Sequence, residues 1–157
     1  MIDLQIRMAT AADAPALGAL VQRAIRTSNS ADYEPAIIES MCANFEPDKL
    51  LERMAVRDVF AAVHDDSIIG TASFSLPRAK LYSLFIEPRI QRGGIGQRLV
   101  RHIEQHATGF GCTSLQLSAS ITAKSFYERL GYETITFEDR TTTNDGSTWL
   151  MRKALQG

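Results

Sequence analysis

A glycine-rich stretch, Gln91-Arg92-Gly93-Gly94-Ile95-Gly96, lies between an apolar run at 81–86 and a helical pattern. The helical pattern repeats apolar residues at 95, 99, 103 and 107. A glycine turn at a helix N-terminus exposes backbone N–H groups that no side chain covers. The helix dipole adds about half a positive charge at that end. The stretch therefore predicts a binding site for a phosphate or a pyrophosphate.

Two familiar phosphate loops do not fit this stretch. A P-loop continues with Lys-Ser or Lys-Thr after its last glycine, whereas Gln97 and Arg98 follow Gly96. A dinucleotide fingerprint beginning at Gly94 would need a third glycine where Leu99 stands, and an acidic ribose ligand in a following βαβ unit. Taken alone, the turn also fits a tight strand-to-helix connection with no ligand.

A second segment changes this balance. Its sequence is Ser120-Ile-Thr-Ala-Lys-Ser-Phe-Tyr-Glu-Arg-Leu-Gly131-Tyr132. Together the two segments resemble the GNAT superfamily, N-acyltransferases that use acetyl-coenzyme A. The first segment resembles the family's pyrophosphate motif, and the second matches its Asn-x-x-Ala-x-x-Phe-Tyr-x-x-x-Gly-Phe/Tyr pattern except at Ser120. The close resemblance covers residues 81–132, about a third of the chain.

The resemblance implies where acetyl-coenzyme A would bind. Its diphosphate would lie on the backbone of residues 92–96, and its pantetheine arm would follow the strand at 81–87, which splays from its neighbour in this family. A backbone N–H of that strand could also polarise the thioester carbonyl. The implied cofactor-binding residues are Leu84, Phe85, Ile86, Gln91, Arg92, Gly93, Gly94, Ile95, Gly96, Gln97, Ser120 and Tyr127.

Tyr127 is the candidate general acid. A phenol has a pKa of ~10, above the ~8.5 of a thiol, so it stays protonated and can donate a proton to a departing thiolate. The alternative from spacing alone places Tyr127 in the core stripe of a helix with Ala123, Phe126 and Leu130. Ser120 departs from the family's Asn, which usually bonds the pantetheine arm. Serine is shorter than asparagine and has a single hydroxyl, so we expect Ser120 to reach the pantetheine arm through water or not at all.

The general base and the acceptor site are less well determined by the sequence. Some family members place a glutamate on the strand before the glycine turn, where this chain has Tyr82 and Ser83. We expect the proton to pass to water, relayed by a backbone carbonyl or a carboxylate, and Glu87 is the named candidate base. For the acceptor amine we expect contacts from Tyr33, Glu34 and Tyr82. The competing interpretation of Tyr33 and Glu34 is an exposed helix start.

The surrounding pattern predicts elements in the order β-α-α-β-β-β-α-β-α-β-β. The second helical region, 35–54, divides near Pro47, and Asp65-Asp66 joins two strands in a hairpin. Thr27–Ser30 ends the first helix, and residues 144–146 form the turn of a last hairpin. The predicted fold class is α/β (α+β), a mixed, mostly antiparallel sheet flanked by helices. Both the pattern and the resemblance support one N-acetyltransferase domain over residues 1–157.

Composition restricts the class of partner. A formal net charge of −1 disfavours nucleic acid, including a site built on Arg89, Arg92, Arg98 and Arg101. No apolar run is long enough for a membrane, and the N-terminus lacks a signal-peptide pattern. Cys42 and Cys112 read as reduced thiols, so we expect a cytoplasmic protein. The sequence predicts no metal site, because His102 and His106 lack a third ligand.

The resemblance implies an N-acetyltransferase that moves acetyl from acetyl-coenzyme A to a primary amine of a small molecule or peptide, by direct attack in a ternary complex. A non-catalytic module that binds or senses acyl-coenzyme A is the alternative, supported by Ser120 and the missing base. The acceptor, the acyl length and the oligomeric state stay open, a homodimer included.

Overall fold

The computed structural model describes residues 3–90, 93–139 and 147–156. The strands in these ranges are β1 (Gln5–Met8), β2 (Asp58–His64), β3 (Ser67–Ser75), β4 (Lys80–Ile86), β5 (Ser114–Ala119), β6 (Glu133–Glu138) and β7 (Thr148–Ala154). The α-helices in the same ranges are α1 (Ala14–Ala24), α2 (Pro35–Ala43), α3 (Pro47–Met54), α4 (Ile95–Gly109) and α5 (Lys124–Arg129). None of these helices has both the length and the apolarity that crossing a membrane requires.

The strands form one sheet in the order β1-β2-β3-β4-β5-β7-β6. The neighbours in the sheet are antiparallel except for β4 and β5, which run parallel. The element order follows the predicted one, with the second helical region divided into α2 and α3. The predicted fold class, a mixed, mostly antiparallel sheet flanked by helices, is therefore confirmed.

Alternating side chains of the sheet build a core on each face. In β2, Phe60 and Ala62 pack with the apolar stripe of α4, whereas Val59 and Ala61 pack with α1, α2 and α3. This alternation is the period of a strand that is buried on both faces. The two helical layers thus lie on opposite sides of the sheet, with α4 and α5 on one side and α1–α3 on the other.

Several predicted boundaries agree with the structure. The second helical region divides as expected, because Pro35 and Pro47 each stand at the first position of a helix. Asp65 and Asp66 have φ angles of 49° and 63°, which suits the tight turn of the β2–β3 hairpin. The glycine that follows α5, Gly131, has a φ of 97°, as a left-handed helix cap requires.

The predicted end of the first helix is wrong. Instead of breaking at Thr27–Ser30, the chain continues from α1 as a π-helical segment, Ile25–Asn29. Ile25 is fully buried and Asn29 nearly so, so packing against the core favours one more helical turn over the local preference of the polar residues. The predicted hairpin turn at 144–146 lies outside the described residues.

Candidate active site

A bulge in β4 redirects the side chains at the centre of the sheet. Thr71 of β3 pairs with Phe85, but Ser73 pairs with Tyr82, so Ser83 and Leu84 together oppose one residue of β3. Ser83 has a φ of 56°, an unusual value for a residue other than glycine. The extra residue turns Leu84 toward the α4 side of the sheet, where Leu81 also packs.

The strand pair β4 and β5 separates immediately before this bulge. Pairing is confined to Lys80 with Gln116 and Leu81 with Leu117, although β4 continues to Ile86 and β5 to Ala119. Beyond Leu81, the main chain of β4 therefore has no β5 partner on that side. Unpaired N–H and C=O groups at the edge of a strand can bind an extended ligand as another strand would.

A cavity of about 750 Å³ passes through the sheet at this separation. On one side it is lined by Gly94 and Gly96 at the start of α4 and by Tyr127 of α5. On the other side it is lined by Asn29 and by Arg53, which belong to the α1–α3 layer. A cavity that contacts both helical layers can exist only where two strands stop pairing. The two faces of the sheet thus share this cavity.

The glycine turn has the backbone that anion binding needs. Gly93 and Gly94 have φ angles of 100° and 68°, and Gly94 directly precedes α4. Residues with a side chain rarely adopt such φ angles, so glycine occupies these positions. Because glycine has no side chain, the N–H groups of the turn stay open at the positive end of a 15-residue helix. Gly96 allows close packing, since an added Cβ would lie 3.1 Å from the ring of Phe126.

The remaining predicted donor residues fall into three groups. Leu84, Phe85, Ile86, Ile95 and Ser120 line the cavity together with Gly94, Gly96 and Tyr127. Gly93 and Gln97 are adjacent in sequence to the lining residues but are not among them. Gln91 and Arg92 lie outside the described residues. Ser120 Oγ accepts a hydrogen bond of 3.2 Å from the backbone N–H of Ala123, so its hydroxyl stabilises the turn that leads into α5.

Tyr127 combines the two roles that the sequence left as alternatives. It is 5 % exposed and packs edge-on against Phe126 and Tyr132, so it belongs to the core. It also lines the cavity, and among the described residues its hydroxyl has no hydrogen-bond partner. Burial raises the pKa of the Tyr127 phenol, which keeps it protonated beyond the ordinary range. The hydroxyl is available as a proton donor.

The structure places Glu87 away from this cavity. It lines a separate cleft, and its carboxylate accepts hydrogen bonds from Arg23 at 2.9 Å and from Arg89 at 3.1 Å. Burial acts to raise the pKa of Glu87, but the two guanidinium groups outweigh burial and hold the pKa below its usual value. A paired carboxylate of low pKa that is outside the cavity is poorly suited to deprotonate an amine. Its geometry fits a structural link between α1 and the segment after β4.

Two of the three predicted acceptor contacts also lie elsewhere. The Tyr33 hydroxyl donates to the carbonyl of Ser147 and accepts from the N–H of Ile121, each at 2.9 Å. Tyr33 is therefore a buried tie between three segments, and Glu34 is an exposed residue that precedes α2. Tyr82 does line the cavity, with the guanidinium of Arg57 3.7 Å from its ring centre.

The charge of the cavity is one-sided. Arg53, Lys80 and Arg129 line it, whereas no Asp or Glu among the described residues does. Two side-chain atoms that are closed off from solvent have no hydrogen-bond partner in the described part of the chain, Arg53 Nη1 and Ser118 Oγ, and both residues line this cavity. Buried polar atoms are nearly always satisfied, so the pair indicates a polar ligand. The sequence analysis missed Arg53, Ser118 and Asn29, because only the fold brings them together.

No three His, Cys, Asp or Glu side chains gather into a possible metal site in the part of the chain that the structure describes. His106 instead forms a hydrogen bond of 2.8 Å between its Nε2 and the carboxylate of Asp58. His102 packs edge-on against Phe60. The two histidines are thus engaged in packing and hydrogen bonding on the surface of α4 that faces the sheet.

Comparison with known protein families gives a match over most of the chain. The model of the acetyltransferase (GNAT) domain matches residues 29–155. The chain is also 30% identical over 137 residues to the uncharacterized N-acetyltransferase YafP of Escherichia coli (strain K12), which covers 86% of this chain and 85% of that protein.

Solved structures share the fold along its full length. A GCN5-related N-acetyltransferase from Rhodopseudomonas palustris has a TM-score of 0.91 at 22% identity, covering 99% of this chain and 98% of that one. The PaiA N-acetyltransferase from Thermoplasma acidophilum, solved in complex with coenzyme A, has a TM-score of 0.83 at 21% identity and covers 98% and 99%. At these identities the likeness concerns the fold.

Proposed function

Because the chain belongs to the GNAT acetyltransferase family, we propose that it transfers acetyl from acetyl-coenzyme A to a primary amine by direct attack in a ternary complex. The acceptor is a small molecule or a peptide. One observation carries the proposal: the cavity through the sheet is lined by the glycine turn on one face and by residues of the α1–α3 layer on the other. Two reactants can therefore meet at the β4–β5 separation without a covalent enzyme intermediate.

The described residues fit coenzyme A on the α4 side of the sheet. The diphosphate would lie on the N–H groups at Gly93–Gly96, and the pantetheine arm would follow β4 at Leu84–Ile86. Phe126 packs closely against the start of α4 at Gly96, where an added Cβ would lie 3.1 Å from its ring. When bound, acetyl-coenzyme A supplies the activated thioester whose acetyl group is transferred.

Tyr127 is the proposed general acid. As the new C–N bond forms and the C–S bond breaks, the phenol donates its proton to the departing sulfur. Its position in the cavity wall and its hydroxyl, which has no partner among the described residues, support this role. Backbone N–H groups of β4 would polarise the carbonyl, since β5 leaves them without a partner.

The amine must lose a proton, and the described lining of the cavity contains no carboxylate to receive it. We therefore propose that a water molecule, oriented by its hydrogen bond to a backbone carbonyl, accepts this proton. Glu87, the base candidate from the sequence, instead stabilises the segment that leads to the glycine turn.

The test is release of coenzyme A thiol from acetyl-coenzyme A in the presence of a panel of amines, followed with a thiol reagent. Transfer predicts amine-dependent thiol release and an acetylated product of matching mass. The alternative, a module that senses acyl-coenzyme A, predicts tight cofactor binding by calorimetry with no thiol release for any amine. That outcome would overturn the proposal.

A further inference from the structure

We propose that the acceptor is a small amine that carries an anionic oxyacid group, and that Arg53 binds this anion. The inference rests on the proposed function and adds the substrate class. It stands on a buried guanidinium nitrogen that has no hydrogen-bond partner among the described residues, in a cavity that no described carboxylate lines.

Arg53 belongs to the acceptor side of the cavity. It lies on α3, in the layer that packs against Val59 and Ala61, whereas Gly94–Gly96 belong to the layer on the opposite face. A donor held at the glycine turn therefore reaches the β4–β5 separation from the far side of the sheet. Arg53 therefore lies on the side of the acceptor, across the sheet from the phosphates of the donor.

The surroundings of Arg53 leave its donors free for a ligand. Its guanidinium carbon lies over the ring of Phe45, 4.4 Å from the ring centre, in a cation–π contact. The N–H donors point outward in the plane of the guanidinium, where they suit a carboxylate or a phosphonate. Stacking holds the side chain in place without satisfying Nη1.

The electrostatic environment also favours an anion. Burial lowers the pKa of Arg53, and the positive charge of Arg57 lowers it further, with a partial offset from Glu52. Burial likewise lowers the pKa of Arg57, which stacks on Tyr82. Two partly buried cations without an ion-pair partner in the described residues gain from a bound negative charge. By the same argument, a polycationic acceptor would be repelled.

The experiment compares matched acceptors on the wild-type enzyme. Each set contains an amino acid, its carboxamide, the amine with no acid group and the aminoalkyl phosphonate. We expect kcat/KM to be about 10- to 100-fold higher for an anionic member than for its carboxamide, as for a hydrogen bond to a charged group. The larger of the carboxylate and phosphonate values identifies the preferred anion. Equal values for acid and carboxamide would overturn the inference.

The variants assign the preference to one side chain. Arg53→Met should remove the preference and leave the KM for acetyl-coenzyme A unchanged. Lys49→Met, which removes an exposed positive charge from the same helix, should keep the preference. A preference that survives Arg53→Met in a folded variant would refute the role of Arg53. The wild-type comparison of acid with carboxamide needs no variant to fold.

Binding of the N-acetylated amino acid and its carboxamide, measured by calorimetry, separates this inference from the proposed function. Arg53-dependent binding of the acid with no thiol release from any amine would refute transfer and support the anion site. Acetylation of acid and carboxamide at equal rates would refute the anion site and support transfer.

Discussion

Leu81 of β4 and Leu117 of β5 form the last residue pair between the two parallel strands at the centre of the sheet. Both are buried, so the core holds the strands together up to this point. The bulge at Ser83 follows at once and carries β4 away from β5. The position of this last pair decides where the cavity crosses the sheet, and thus where two substrates can meet.

Tyr127→Phe tests the general acid. We expect kcat to fall by about 100-fold or more, because the phenol is the proposed proton donor to the sulfur. Stability should change little, since the hydroxyl has no partner among the described residues. Thiol release and thermal unfolding measure the two effects.

Tyr132→Phe is the matched control for Tyr127→Phe. Its hydroxyl donates to Glu104 at 2.7 Å, and Tyr132 does not line the cavity. This variant should lose about 1 to 2 kcal/mol of unfolding free energy and keep its kcat. Unchanged turnover in Tyr127→Phe would remove the tyrosine from the mechanism.

The pH dependence of kcat/KM should follow the acceptor amine. Only the neutral amine attacks, so the rate should rise about tenfold per pH unit until the pKa of that amine. Tyr127 acts in its protonated form, and burial raises its pKa, so the fall at high pH should lie above the ordinary ~10 of a phenol. For two acceptor amines of different pKa, the rise of kcat/KM should level off at two different pH values. A break at one fixed pH for both would indicate a base on the enzyme.

Glu87→Gln should cost stability and leave the shape of the pH profile intact. Because Arg23 and Arg89 are largely exposed, we expect a loss of only about 1 to 2 kcal/mol. The KM for acetyl-coenzyme A should rise, because Glu87 holds the segment that leads to the glycine turn. Glu104→Gln, which breaks a pair with Lys153 at 3.0 Å, should lose stability without this change in KM. If the Glu87→Gln variant lost the fall of kcat/KM at acidic pH, Glu87 would again be the candidate base.

Gly94→Ala tests the backbone of the phosphate turn. An added Cβ would lie 4.0 Å from Gln97 Oε1, an ordinary van der Waals contact, so the effect comes from the φ of 68°. We expect a loss of about 1 kcal/mol and a higher KM for acetyl-coenzyme A. Gly109→Ala, at the other end of α4, has neither a positive φ nor a close neighbour and should be neutral or stabilising. Equal behaviour of the two variants would contradict a special backbone at Gly94.

Tyr33→Phe should destabilise the fold by about 1 to 2 kcal/mol, because it leaves Ile121 N–H and the Ser147 carbonyl without the hydroxyl. The KM for the amine should stay near the wild-type value if Tyr33 is a structural tie. Chemical denaturation and steady-state kinetics provide the two readings. A large rise in the KM for the amine, with unchanged stability, would instead support a contact between Tyr33 and the acceptor.

The conformational preferences of single residues let the sequence predict the order and several boundaries of the helices and strands. Prolines begin α2 and α3, paired aspartates close the β2–β3 hairpin, and glycines stand where left-handed backbone is needed. These preferences act within a few residues, so they can be read along the chain. The exception, Thr27–Asn29, shows the limit, because burial of Ile25 and Asn29 overrides the local preference there.

The sequence by itself determined the proposed donor side of this protein, because the glycine turn and the Tyr127 helix are contiguous motifs with fixed spacing. Only the tertiary structure decided the proposed acceptor side. Arg53 and Ser118 meet at the cavity because two helical layers pack on opposite faces of a sheet that separates at its centre. The roles of Glu87 and Tyr33 likewise depend on partners distant in the chain, Arg23 and Ser147. Such long-range pairings arise from the packing of the whole domain, and no local pattern encodes them.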